Sequence, residues 1–178
     1  MALAAGTFEL GPADGTLAVR TYRTGAVAMA GHDLLLHVGD WRAMLAIEPD
    51  GTPSSVALEA NGSSFQVIEG TGGIQALDDA DRSNILQTID AEILERTTVT
   101  FRSTAIEAGG GGFRVRGELT LVGATHPLDV ELAVDGETIR ASAVVKQSSW
   151  GMKPYSTLFG ALKVADDVEV EVQADLSA

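Results

Sequence analysis

Every second residue from Phe113 to Leu121 falls on one side of the chain: Phe113, Val115, Gly117, Leu119 and Leu121, against Arg114, Arg116, Glu118 and Thr120. That period of two is the mark of a strand with one dry and one wet face. It recurs. Leu128, Val130, Leu132 and Val134 oppose Asp129 and Glu131; Ile139, Ala141, Ala143 and Val145 oppose Arg140 and Ser142; Val168, Val170 and Val172 oppose Glu169 and Glu171. Between these runs lie EAGGGG, VGATH and VDGE, whose glycines and aspartate are turn chemistry. Short links between successive strands make antiparallel neighbours.

The first half adds strands at Leu17–Tyr22, Ser54–Ala60 and Ser63–Val67, another at Val99–Ala105, and a long stretch from Ala28 to Leu45, AMAGHDLLLHVGDWRAML. The pattern predicts about eight or nine strands. One segment departs from it. In LDDADRSNILQTIDAEIL, Ile85, Ile89 and Ile93 stand at i, i+4 and i+8 with Leu86 beside them. This is the stripe of an amphipathic helix over 79–94, capped by Asp78 or Asp79, with Asp81 favourable near its positive end. A second, short helical turn is expected at Lys153–Leu158. One helix cannot cover a large open sheet, so the pattern predicts an all-β fold. The architecture expected is a single domain spanning 1–178, built as a closed antiparallel barrel of about eight strands.

The Ala28–Leu45 stretch is apolar on both sides at first. Read as one continuous strand, it puts Leu35, His37, Gly39, Trp41, Ala43, Leu45 and Ile47 on one face and Leu34, Leu36, Val38, Asp40, Arg42 and Met44 on the other. Such a strand is either covered by the helix or lines a cavity, and a barrel of about eight strands has room for one small ligand. The C-terminal QSSWGMKPYSTLFGALKV packs Trp150, Met152, Tyr155, Leu158, Phe159 and Leu162 into an irregular loop. Large apolar side chains there either plug the barrel end or border a pocket. Lys153 and Lys163 would suit a ligand with an apolar body and an anionic or polar head.

Charge and composition narrow the chemistry. With 12 Lys and Arg against 25 Asp and Glu, the net charge is −13. That disfavours nucleic acid and argues against electrostatic docking on anionic membranes. There is no cysteine, hence no disulfide or thiolate site. The N-terminal residues carry no secretory signal pattern and no run is long enough for a membrane span, so a cytoplasmic location is expected, or a periplasmic or secreted one if a signal was removed. No metal site is expected. His32 and His37 have an odd spacing that puts them on opposite faces of a strand, and Asp33 and His37 lie about 13 Å apart on one face. Gly31–Asp33 reads instead as a turn with His32 or Asp33 bonded to backbone. Ser148 and Ser149 lack a Gly-x-Ser-x-Gly elbow. No catalytic constellation assembles and no cofactor is called for. An enzyme using His37, Tyr155 or Lys153 as acid or base is the alternative reading, and an interaction module with a self-filled barrel is a third.

Three segments, in order, carry a resemblance. DADRSNILQTIDAEIL is followed by TTVTFRST, with Phe101 and Ser103; then comes GELTLVGATHPLDVEL, with Gly117, Leu119, Thr120, Gly123 and Thr125; then SSWGMKPY. The set resembles the YceI-like family of lipid- and polyisoprenoid-binding, extended lipocalin-like proteins, from about Leu17 to Leu176. The chain has DDADRSN where many members carry an Arg-Asp-x-His-Leu pattern, and GHDLLL in place of a His-Ser start. The resemblance implies an eight-stranded barrel with a helix and an elongated apolar tunnel for an isoprenoid or similar lipid. The function expected is binding, carriage or storage of an apolar molecule of isoprenoid, quinone or fatty-acyl type. Leu35, His37, Trp41, Phe65, Phe101, Trp150, Met152, Tyr155 and Phe159 are the expected ligand contacts, and a homodimer is a possible assembly.

Overall fold

The computed structural model describes residues 3–177. Its strands are β1 (Gly6–Leu10), β2 (Gly15–Thr21), β3 (Arg23–Thr24), β4 (His32–Val38), β5 (Trp41–Ile47), β6 (Pro53–Asn61) and β7 (Phe65–Gly72). Helix α1 (Asp79–Thr88) follows and runs into a π-helical turn, Ile89–Ile93. The second half holds β8 (Thr98–Gly109), β9 (Gly112–Leu121), β10 (Ala124–Asp135), β11 (Thr138–Lys146), β12 (Ser156–Thr157), β13 (Leu162–Val164) and β14 (Asp167–Asp175).

Eleven of these strands form one antiparallel sheet in the order β1-β5-β6-β8-β9-β10-β11-β14-β2-β4-β7. The sheet curls into a half-barrel, not the closed barrel of about eight strands that the sequence pattern predicts. The physical reason lies in breaks. β1 and β2 are parted at 11–14, β4 and β5 at 39–40, and β6 and β7 at 62–64, so three courses of chain count as six strands. At the last two breaks the ladder is interrupted and patched by Gly39 N–H on the Ser64 carbonyl (2.7 Å) and Asn61 N–H on the Asp40 carbonyl (2.9 Å). β1 and β7 are left as edges. Helix α1 covers the β7 edge, with Arg82 Nη1 donating to the Val67 carbonyl at 2.9 Å. An edge strand so covered is blunted against pairing with another chain.

The helix starts where the sequence places it. Asp78 is the N-cap, and its side chain and that of Asp81 bond each other's backbone N–H in a capping box. The expected span of 79–94 is met by an α-helix to Thr88 and the π turn beyond. A helix of 3.6 residues per turn drifts at i, i+4 spacing, and the wider turn takes that drift back. Ile85, Ile89 and Ile93 therefore all reach the interior.

Elsewhere the turns follow their composition. The β9–β10 hairpin turns at Val122 (φ 47°) and Gly123 (φ 76°), positive at both central positions as a type I′ turn requires. The helical turn expected at 153–158 is absent. Residues 152–155 are irregular, β12 follows, and short 3-10 turns lie at Gln147–Trp150 and Leu158–Gly160. β12, β13 and β3 make a separate three-stranded sheet.

Candidate ligand cavity

The concave side of the half-barrel encloses a cavity of about 420 Å³. Alternate residues of many strands point into it: Leu34, Leu36 and Val38 from β4, Leu128, Val130 and Leu132 from β10, Val168, Val170 and Val172 from β14. The helical segment contributes Asn84, Ile85, Thr88, Ile89 and Ile93. Among the described residues no Asp, Glu, Lys, Arg or His lines the cavity; its polar groups are amides and hydroxyls, such as Asn84, Thr88, Gln147 and Tyr155. Gln147 is buried, and its Nε2 donates to the Ala165 carbonyl at 3.2 Å. Tyr155 lines the cavity while staying 42% exposed, and so marks a mouth.

The residues expected to meet a ligand divide. Phe65, Phe101, Met152 and Tyr155 line the cavity. Leu35 and His37 stand on the outer face of β4 and are half-buried there. Trp41 is buried in the core beside the cavity without lining it. Trp150 is buried too; its Nε1 donates to the Leu119 carbonyl at 2.8 Å, and His126 meets it edge-on at 5.8 Å between ring centroids. Phe159 is fully exposed. Of the three candidate acid–base groups, only Tyr155 reaches the cavity; Lys153 is exposed outside it.

For Leu35 and His37 the cause is a slip in alternation. The inward set is even-numbered in β4 (Leu34, Leu36, Val38), whereas in β5 the buried positions are odd-numbered (Trp41, Ala43, Leu45, Ile47) and Met44 touches the cavity from a partly exposed site, so the alternation slips by one residue at Gly39–Asp40. A one-residue slip reverses every side chain before it. The apolar pattern alone could not reveal it, because Leu34 to Leu36 are leucine on both faces; the Gly-Asp dipeptide inside the run is the signal that marks the break. The inward polar groups Asn84, Thr88 and Gln147 are also absent from the expected set, since amides on a helix or turn carry no periodic signature.

Beside the mouth, the residues expected as a Gly31–Asp33 turn divide: Gly31 is a bend, while His32 and Asp33 open β4 with their side chains tied to backbone. Asp33 Oδ1 accepts the Arg23 N–H at 2.8 Å, and His32 Nε2 donates to the Gln75 carbonyl at 2.7 Å. The Arg23 guanidinium donates to the carbonyls of Gly31 (2.9 Å) and Thr71 (3.3 Å). Behind the mouth, Ser148 gives its N–H (2.7 Å) and its hydroxyl to the Asp166 carboxylate. Those bonds, the hydroxyl's first, hold the Asp166 pKa below the ordinary carboxylate value.

The motif residues find places in the same region. The tip of the Phe101 ring occupies the space where a Cβ on Gly117 would stand. Ser103 Oγ accepts the Val56 N–H at 2.9 Å, where the β8–β9 register shifts. Thr120 and Thr125 share a hydroxyl hydrogen bond of 2.7 Å across the hairpin.

The sequence matches the model of the YceI-like domain over residues 19–176. Comparison with curated protein sequences returns no match. Among solved structures, the fold is similar to that of BcnA from Burkholderia cenocepacia, with a TM-score of 0.61 and 17% identity over 89% of this chain and 94% of that one. It is also similar to the YceI protein of Campylobacter jejuni, with a TM-score of 0.55 and 15% identity over 79% of this chain and 82% of that one.

Proposed function

This chain belongs to the YceI-like domain family, and from that premise we propose that its cavity binds and carries an elongated, uncharged apolar molecule of isoprenoid, quinone or fatty-acyl type. One observation carries the reading: a cavity of about 420 Å³ with no charged side chain on its described wall. That volume lies within the range of small-molecule sites, roughly 300–1,000 Å³. Its apolar wall is open to water through the mouth, and an occupant that covers it removes that surface from water. Each CH₂ it buries contributes about 0.8 kcal/mol, so a chain of modest length binds without any charged anchor. Asn84, Thr88, Gln147 and Tyr155 supply hydrogen bonds to a hydroxyl, carbonyl or amide head.

The test is chemical. Protein purified without detergent is weighed by native mass spectrometry and extracted with solvent, and stripped protein is offered farnesol and hexadecanol, both uncharged. A stoichiometric prenyl or acyl compound, or saturable uptake of either probe, is the expected outcome. A clean unliganded mass with no uptake of either sinks the reading. Ala43→Phe, which pushes a ring into the cavity, is expected to lower uptake at least tenfold while leaving the circular dichroism spectrum intact.

A further inference from the structure

The three most exposed large apolar side chains among the described residues are Met29 (85%), Ile74 (81%) and Phe159. They belong to three separate loops, yet the loops are bound together. Val27 N–H donates to the Ala161 carbonyl at 2.9 Å, His32 at the base of the first loop reaches Gln75, and Arg23 joins the first loop to Thr71. Val164 N–H donates to the carbonyl of Tyr155, the mouth residue, at 2.9 Å. The apolar tips therefore stand around the mouth of the cavity. Phe159 is held there at φ 54°, a backbone region that disfavours bulky residues, with its ring wholly in water.

Charge is segregated in the same place. Segments 22–31, 70–77 and 151–164 contain none of the chain's 25 acidic residues; of their three cations Arg23 pairs with Asp33 at 3.9 Å, which leaves Lys153 and Lys163. Lys153 and Lys163 are exposed. The net charge of −13 argues against an anionic surface only when it is averaged over the molecule; these loops are its local reverse.

We propose that the mouth face docks on a lipid bilayer bearing anionic headgroups, with Met29, Ile74 and Phe159 entering the acyl boundary and Lys153 and Lys163 meeting headgroup phosphates. Apolar tips flanked by cations are the composition of an interfacial anchor. The complementarity points to lipid and not to a second copy of this chain: mouth-to-mouth pairing would set Lys153 and Lys163 against their like, and the remaining surface offers no apolar tip of comparable exposure among the described residues. The proposal extends the cavity reading by giving an apolar ligand a dry path into the mouth, but it is read out separately from ligand binding.

The experiment is flotation of the full chain with vesicles of phosphatidylcholine, alone or mixed with phosphatidylglycerol. Wild type is expected to float with the mixed vesicles and less with phosphatidylcholine alone, and the difference is expected to fade in high salt. Met29→Ser, Ile74→Ser and Phe159→Ser combined are expected to lower partitioning at least tenfold. Lys153→Glu with Lys163→Glu is expected to erase the preference for the mixed vesicles. Val144→Ser, an exposed apolar site on β11, serves as the control and is expected to float as wild type does. Uptake of farnesol from water by the triple serine variant reports separately on the cavity and on folding. Wild type that floats with neither vesicle overturns docking, as does a folded triple variant that floats undiminished. A wild type that ignores vesicles but dimerises, with a monomeric triple variant, assigns the rim to a second copy and overturns it equally.

Discussion

Phe101 and Gly117 form one unit: the ring tip fills the place of the missing side chain. A methyl group there displaces a ring that lines the cavity and also meets the Arg102 carbonyl oxygen, and such overpacking costs about 1–3 kcal/mol. Gly117→Ala is therefore expected to lower the urea midpoint and weaken farnesol uptake together, read by denaturation and fluorescence titration. The two tryptophans differ in the same concrete way. Trp150 Nε1 has the Leu119 carbonyl, whereas the buried Trp41 Nε1 has no partner among the described residues. Trp150→Phe removes a hydrogen bond, while Trp41→Phe removes an orphan donor that itself costs about 1–3 kcal/mol. The urea midpoint is expected to fall less for Trp41→Phe; an equal or larger fall contradicts the assignment. At this scale the sequence is legible by residue type and poorly legible by direction. Phe65, Phe101, Met152 and Tyr155 reach the cavity, but Leu35 and His37 turn outward because the chain slips at Gly39–Asp40, and their neighbours are too uniformly apolar to betray it.

Among elements, the helix was the most readable. Its isoleucine spacing and its Asp78 cap carry their own physics, so segment 79–94 stands where the pattern puts it, and Asp78→Ala is expected to cost about 1 kcal/mol in thermal unfolding. The strands missed by periodicity are β1, β3, β12 and β13, of five residues or fewer, in which alternation has too few steps to register. The Gln147–Trp150 turn is fastened to the chain before β14 through Ser148 and Asp166. The folded pKa of Asp166 is depressed, so its contribution is complete above the unfolded value of about 3.9 and is lost as pH falls through the lower folded value. The wild-type advantage over Ser148→Ala is expected to be constant near neutrality and to shrink below about pH 4, as measured by urea unfolding across pH. Asp166 lies near the surface, which keeps the effect small.

For the whole molecule, antiparallel all-β architecture with one helix follows from the alternation, while openness of the sheet does not. Strand counting assumes uninterrupted courses; of the breaks at 11–14, 39–40 and 62–64, the Gly-Asp pair at 39–40 lies inside a run that otherwise reads as continuous. A ligand bound by the folded state alone stabilises it by mass action, about 2.7 kcal/mol at a hundredfold excess over Kd. Stripped protein is thus expected to melt several degrees lower and to recover on adding the extracted compound, by calorimetry. The acid-free loops around the mouth also have a consequence at a distance. They set the exposed Lys153 and Lys163 apart from the rest of the chain, which carries the net negative charge. In the field of a charged surface such a body experiences a torque before any contact, so orientation is selected during diffusion and fewer collisions arrive wrong way round.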